Sequence, residues 1–478
     1  MLHPIQTGVC FVVLVTSALA QTFAVPATKP ASAARVDSAL LSLSLEFFAF
    51  PGYTQVTSTS VCMNHIATLR GHAPAVRIGG TTQDRATYSL NLAEAVNYTV
   101  ASSADAPTSL TFGPSFFSLA AGLKGADVTI GLNRQLNNMA NSLQAAVQAK
   151  NSMTNLYAIE IGNEPDLYGS GSPIITTGTW SPIADGQSEQ SWQNAMSSST
   201  GDIFQAGVYL SNSWNIPSLI TTLGSAIRHT KTFSRHSYPQ SACNGASTNL
   251  PSLMSHSSIV TYVAQYASEA SAVHAAGKQY FLGETNSATC GGGGISPTFG
   301  AALWIVDYVL QGALHGVDRL YFHQGTIGNC AYCFWGRFTT GAPFYGVYFV
   351  SQFLGTDGVS IVMLDSGTSS LATYVVYSSA GAPLRALIYN SAYYDGTTTR
   401  SSAIVTLTGL SNTGKQSLRL TAPAATSRVD EGAAVTIGGL TFDGNCNSVG
   451  SETVEVVSAS GGEAIVSVKA SEALIVFL

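Results

Sequence analysis

Two glutamates in this 478-residue chain are placed to do chemistry together. Glu164 sits in I-G-N-E-P-D and Glu284 in F-L-G-E-T-N. Each follows an apolar run that reads as a buried strand, and each precedes residues that end one. Pro165 removes a backbone donor and stops the ladder, so the Glu164 carboxylate is directed out of the strand end. A run of glycines, Gly291 to Gly294, follows Glu284 and lets backbone approach a ligand closely. Two carboxyl groups at strand ends are the equipment for breaking the acetal bond between sugars. One protonates the departing oxygen, and the other attacks or activates water.

Such a pair needs a scaffold that joins distant strand ends. Short apolar runs at 41–47, 75–78, 128–132, 156–161, 219–223, 232–236, 279–282 and 318–322 read as eight strands. Stretches with helical spacing, such as 134–150 and 259–276, lie between them. This alternation predicts an α/β fold, a (β/α)₈ TIM barrel over 37–341, with Glu164 ending the fourth strand and Glu284 the seventh. A doubly wound sheet would need a nucleotide fingerprint, and the chain has none. After residue 341 the pattern changes to short strands separated by Gly, Ser, Thr and Asn clusters. It predicts an antiparallel β-sandwich over 342–478, closed by a hairpin of 464–468 and 473–477. The extended segment 21–36 is a candidate further strand of that sandwich.

Composition excludes other classes. Charged residues are 10% of the chain, 20 basic against 26 acidic. That balance lacks the basic footprint of a nucleic-acid binder, and it opposes a groove for a highly sulfated polymer. The nine histidines show no H-x-x-x-H or H-E-x-x-H spacing, and no G-x-S-x-G elbow is present. Neither a metal nor a cofactor is expected. Residues 1–20 read as a secretory leader whose apolar core is shorter than the ~20 residues of a membrane span. No membrane partner is expected, and the mature protein is expected outside the cell. Beyond the leader six cysteines remain, Cys62, Cys243, Cys290, Cys330, Cys333 and Cys446, an even set expected to form disulfides. Asn97-Tyr-Thr is a glycosylation sequon.

The combination of L-S-L-E-F at Leu43, R-I-G-G-T at Arg77, I-G-N-E-P-D, R-H-S-Y-P at Arg235 and G-E-T-N-S resembles glycoside hydrolase family 79, which holds β-glucuronidases and heparanases. The resemblance covers the whole mature chain. It implies a carbohydrate substrate, a glucuronide-bearing glycan, and double displacement with Glu164 as acid/base and Glu284 as nucleophile. It implies that Asn163 bonds the sugar 2-hydroxyl and that Glu46 accepts from distal hydroxyls. Tyr238 would orient the nucleophile or touch the substrate carboxylate. His323, Gln324 and Tyr332 are further candidates for the site, and His236 reads equally as core or site. The family's exo-acting members are expected to hold the uronate with tyrosine and backbone N–H groups of the loop after the nucleophile. This loop has no tyrosine, which leaves the backbone around Gly291 and Gly292 as a candidate anion nest. The expected activity is an exo-β-glucuronidase removing terminal glucuronic or 4-O-methylglucuronic acid. The alternatives are an endo-acting heparanase-like enzyme and a silent carbohydrate-binding barrel.

Overall fold

The computed structural model describes residues 20–176 and 178–478. Of the expected leader, only Ala20 falls among them. Eight parallel strands close into a barrel: β1 Leu41–Glu46, β2 Val76–Gly79, β3 Val128–Leu132, β4 Leu156–Ile161, β5 Phe204–Tyr209, β6 Thr230–Ser237, β7 Gln279–Thr285 and β8 Arg319–Gln324. Helices follow the strands and cover the barrel, as parallel strands require.

One strand differs from the sequence reading. The run 219–223 is helical, within Ile216–Leu223, and the fifth strand is Phe204–Tyr209. Ile216, Leu219 and Leu223 are buried at helical spacing, and the Asn215 side chain caps the helix by accepting from Ser218 N. The true strand was obscured because polar Gln205 and Gly207 interrupt it, although all its residues are buried.

That polarity belongs to the barrel interior. Ser44, Arg77, Glu160, Gln205 and Thr232, from five different strands, form one hydrogen-bonded layer instead of an apolar plug. Gln205 Nε2 donates to Glu160 Oε2 at 2.6 Å, and its Oε1 accepts from Thr232 Oγ1 at 3.1 Å. Satisfying every member is what makes such a layer tolerable in a low-dielectric core.

Helix Ala342–Leu354 packs against Phe299–Leu314 and Thr57–Arg70, and so joins the barrel's helical ring. The first strand of the sheet domain beyond it is Ser360–Met363. The helix is buried on nearly every side, which erased the amphipathic period. The sheet domain has two layers. One orders Ala20–Ala24, Ser402–Thr408, Glu463–Lys469 and Ala459–Ser460. The other runs from Ala34–Arg35 through Ser360–Met363, Leu371–Tyr377, Pro383–Asn390, Glu472–Phe477 and Lys415–Thr421 to Thr436–Ile437.

The expected closing hairpin is not formed. Glu463–Lys469 and Glu472–Phe477 lie in different sheets. Their sequences explain this. The first alternates exposed and buried residues, as a strand with one wet face does. The second is buried at five successive positions. Its Leu474 and Val476 face the sandwich core, and Ala473 and Ile475 join the core shared with the barrel. Disulfides join Cys62 to Cys446, Cys243 to Cys290 and Cys330 to Cys333.

Candidate active site

Glu164 follows β4 in a turn fixed from both sides. Asp84 accepts from Asn163 N at 2.7 Å and from the Tyr168 hydroxyl at 2.7 Å. Asp166 accepts from the backbone of Leu210 and Ser211 beyond β5. Glu164 itself has φ of 47°, a left-handed conformation that costs a non-glycine residue of order 1–3 kcal/mol and persists only where neighbours over-determine it. Here the strain aims the side chain into the barrel mouth. Glu284 lies near the end of β7, where the pairing register with β6 shifts between Arg235 and His236. A Cβ at Gly283 beside it would meet Ser234 Oγ at 2.0 Å, so any larger residue there would push the Ser234 hydroxyl out of its place.

One guanidinium organises the site. Arg77 reaches Glu160 from Nε at 3.0 Å and from Nη2 at 2.5 Å. It also donates to Asn163 Oδ1 at 2.8 Å, Ser44 Oγ at 3.0 Å and Glu284 Oε2 at 2.6 Å. Tyr238 donates to the other oxygen of Glu284 at 2.8 Å. His323 lies 3.6 Å from Glu284 Oε2 and 3.3 Å from Glu46 Oε2. His236 Nδ1 is 2.8 Å from Glu164 Oε1.

These partners drive the two acids apart. Burial, together with the negative Glu284, pushes the Glu164 carboxyl up to about 8. Burial opposes the charge on Glu284 as well, but His323, Arg77 and the Tyr238 hydroxyl outweigh it and hold this carboxyl well below the usual range. Burial also lowers His236 to about 4, so at neutral pH it is a neutral neighbour. At neutral pH the pair is therefore one protonated and one ionised carboxyl, the division that acid and nucleophile require.

Ligand atoms of Glu164, His236 and Glu284 lie within 4.8 Å of one another, the one metal-like grouping among the described residues. Arg77 and Tyr238 already occupy both Glu284 oxygens, and the guanidinium charge opposes a cation there. The same figure brings a Glu164 oxygen within 4.8 Å of a Glu284 oxygen. Carboxyl groups about 5–5.5 Å apart suit covalent attack, whereas about 6.5–9.5 Å leaves room for an intervening water.

The two acids open into a cavity of about 1270 Å³, also lined by Glu46, Tyr238, Gly291, His323 and Tyr332. Other predicted residues sit behind it. Asn163 is buried against Arg77. Gln324 is fully buried and does not line the cavity: its Oε1 accepts from Phe334 N at 2.8 Å and its Nε2 donates to His323 O at 3.0 Å, which moors the Cys330–Cys333 loop. Gly292 is also set back. Its N–H donates to Thr289 O and the Gly293 N–H to Ser296 Oγ, so those two donors serve the turn and not an anion. Arg77, Glu160 and His236 were left without a firm assignment. The signal for the first two was present: a charged residue inside an apolar strand, V-R-I and I-E-I, demands a buried partner of opposite sign.

Comparison with known proteins places the chain. Residues 373–475 match the glycosyl hydrolase family 79 C-terminal beta domain. A β-glucuronidase of Aspergillus niger is 30% identical over 403 residues, covering 76% of this chain and 73% of that protein. One from Neurospora crassa is 29% identical over 409 residues, 76% and 71% of the two chains. The chain belongs to glycoside hydrolase family 79. It is thus a glycoside hydrolase. A crystal structure of a 4-O-α-L-rhamnosyl-β-D-glucuronidase from Fusarium oxysporum, in complex with Rha-GlcA, superimposes with a TM-score of 0.93. It is 46% identical and covers 96% of this family 79 chain and 100% of its own. A bifunctional glucanase-xylanase from a metagenome library, 11% identical with a TM-score of 0.63 over 96% of this chain and 99% of its own, shares the fold.

Proposed function

We propose that this family 79 enzyme is an extracellular β-glucuronidase working by double displacement. The observation that carries the mechanism is the pair of acids with oxygens within 4.8 Å and opposite protonation. Glu164 gives its proton to the glycosidic oxygen while Glu284 Oε attacks the anomeric carbon and the leaving group departs. A covalent glycosyl ester on Glu284 results. Glu164, now ionised, takes a proton from water, which attacks the same carbon and frees Glu284. Asn163 stands behind the wall beside Glu164 with its Oδ1 held by Arg77, which leaves its amide N–H for the sugar 2-hydroxyl where the substrate presses against that wall. Glu46 is placed for distal hydroxyls, and its Oε1 is held by Thr82 N. His323 is the one cationic candidate among the described cavity-lining residues for the uronate carboxylate. Burial opposes its charge, but Glu284 and Glu46 outweigh it and raise its pKa.

Supporting the glucuronide are the names of the Aspergillus and Neurospora relatives. A heparanase-like polymer is disfavoured, because Glu46, Asp105, Glu164 and Glu284 line the cavity and no Arg or Lys does. Secretion is supported by the leader-like residues 1–20 and three disulfides. One observation favours a finer substrate. The cavity exceeds the roughly 300–1,000 Å³ that holds a drug-sized ligand, more than one sugar ring fills. The Fusarium relative's name specifies glucuronate carrying rhamnose on O4, and we extend that capped glucuronide to this chain.

The test is hydrolysis of 4-nitrophenyl β-D-glucuronide, with the first-formed sugar followed by proton NMR. The β-anomer should appear first. An α-anomer would remove the nucleophile role from Glu284, and cleavage of aryl glucosides without glucuronides would end the uronate assignment.

A further inference from the structure

Glu164 is followed by one short turn, Pro165–Leu167, with few bonds of its own. Leu167 N donates to Glu164 O at 2.8 Å and Tyr168 N to Pro165 O at 3.2 Å. The Asp166 side chain ties this turn to the barrel. One of its oxygens accepts from Leu210 N at 3.2 Å, and the other accepts from Leu210 N at 3.1 Å and from Ser211 N. Elsewhere on the turn, Trp180 Nε1 donates to Pro165 O at 2.7 Å, and its ring stacks on Tyr168 with centroids 6.0 Å apart.

β5 is distorted just before it supplies those donors. Gly207 has φ of 94° and buried Val208 has φ of 62°. The pairing with β6 slips between Gly207 and Tyr209. A left-handed backbone is an outlier for a β-branched residue and persists only where neighbours impose it. A slip of this kind re-aims the chain that follows, and here two successive N–H groups converge on Asp166. Two strained residues, Glu164 and Val208, thus flank one carboxylate. Asp166 itself does not line the cavity, although Leu167 and Leu210 do. Asp84 grips the same turn but serves more than the acid: it also accepts from Arg134 N and Gln135 N, and the side chain of its partner Asn163 belongs to the Arg77 cluster. Among the described residues, no hydrogen bond of Asp166 reaches Arg77, Tyr238 or His323, the groups that serve Glu284.

We propose that Asp166 is a positioning residue for the acid/base alone: it clamps the strained turn so that Glu164 meets the glycosidic oxygen, and it leaves the nucleophile to its own partners. The proposal rests on the glucuronidase reading above. Opening the clamp lets Glu164 relax from its left-handed backbone and withdraw from the leaving oxygen. Proton transfer needs heavy atoms about 2.6–3.2 Å apart, so a displacement of about 1 Å breaks it. The attack by Glu284 continues. The loss is therefore confined to substrates whose leaving oxygen needs the proton: an alkoxide does, and a dinitrophenolate does not.

The experiment measures kcat/KM for methyl and for 2,4-dinitrophenyl β-D-glucuronide with the wild type, Asp166→Ala, Asp166→Asn and Trp180→Phe, beside their melting temperatures. Asp166→Ala should lose about 10²-fold on the methyl compound, the scale of a misplaced catalytic group, and under about threefold on the dinitrophenyl compound. Asp166→Asn keeps the size of the side chain but turns an N–H toward the backbone donors. It should lose in the same direction, and it carries the test if the alanine variant does not fold. Trp180→Phe removes only the donor to Pro165 O and should show the same selectivity on a smaller scale. An equal loss on both probes assigns Asp166 a merely structural role, and an unchanged rate on the methyl compound shows that the turn holds without it. Either result overturns the proposal, as does a wild type that cleaves the dinitrophenyl compound alone and so delivers no proton. A wild type that cleaves neither probe overturns the glucuronidase reading, and this proposal with it.

Discussion

Two buried charge clusters in this protein use the same side chains to opposite ends. Where the barrel meets the sheet domain, His256 Nδ1 lies 2.8 Å from Asp307 and its Nε2 3.0 Å from Asp365. Tyr374 donates to Asp307; Thr373 N and Gly367 N each donate to Asp365 at 2.7 Å. Burial disfavours the imidazolium, but the two aspartates outweigh it and raise His256 to about 10. Each charge is bracketed by partners, and the cluster is closed to solvent. At the barrel mouth the donors are unevenly shared. Glu284 has Arg77, Tyr238 and His323, while Glu164 has only neutral His236. Uneven sharing is what leaves one acid protonated and its neighbour ionised. Whether a buried acid holds a fold together or reacts depends here on how donors are apportioned, not on residue type.

The comparison can be broken most severely at Glu284. Glu284→Gln keeps the shape and the Tyr238 contact but removes the oxygen to which we assign the attack. Turnover of an aryl glucuronide should fall to background with the melting temperature held. Glu164→Gln should cost about 10²–10⁴-fold, the range for a lost general acid. Retained turnover in either variant would remove that residue's role. Arg77→Lys tests the apportioning itself. It keeps the charge but cannot serve Glu160, Asn163 and Glu284 at once, and kcat/KM should drop about 10²–10³-fold. A drop under twofold would mean the fork is dispensable.

The interface cluster should respond in stability alone. His256→Gln should cost about 3–5 kcal/mol, the scale for breaking a buried ion pair, with kcat unchanged. The sign follows from a folded-state pKa raised above the unfolded value. The contribution is fully present below about pH 6.5 and is lost as pH rises through about 10. The melting-temperature gap between wild type and variant should therefore narrow from pH 6 to pH 10. The mildest effect is the pH profile of kcat/KM. It should fall above about pH 8 as Glu164 loses its proton, and stay level into mild acid because Glu284 remains ionised. A fall beginning near pH 5 would contradict the raised acid.

The two glutamates were readable because a carboxylate at the end of an apolar strand has no local partner. The barrel was readable from seven strands whose apolar runs stand clear of their helices, and Phe204–Tyr209 was hidden by the Gln205 that completes the interior layer. Gln324 and Gly292 were misplaced for a related reason. A polar or glycine residue at a barrel rim signals a constraint without saying whether a ligand or the next loop imposes it. Arg77 and Glu160 are the instructive case: each looks anomalous alone, and only the closed barrel brings them within one hydrogen bond.

The sheet domain draws on segments from both sides of the barrel in sequence. Ala20–Ala24 pairs with Ser402–Thr408, and Ala34–Arg35 with Ser360–Met363. During synthesis at about 5–20 residues per second the first of these segments waits on the order of 20–80 s for its partner. Every barrel strand emerges in that interval. Ala20–Ala24 is thus translated early and paired late, and its backbone donors and acceptors must wait unpaired until the rest of the chain has emerged.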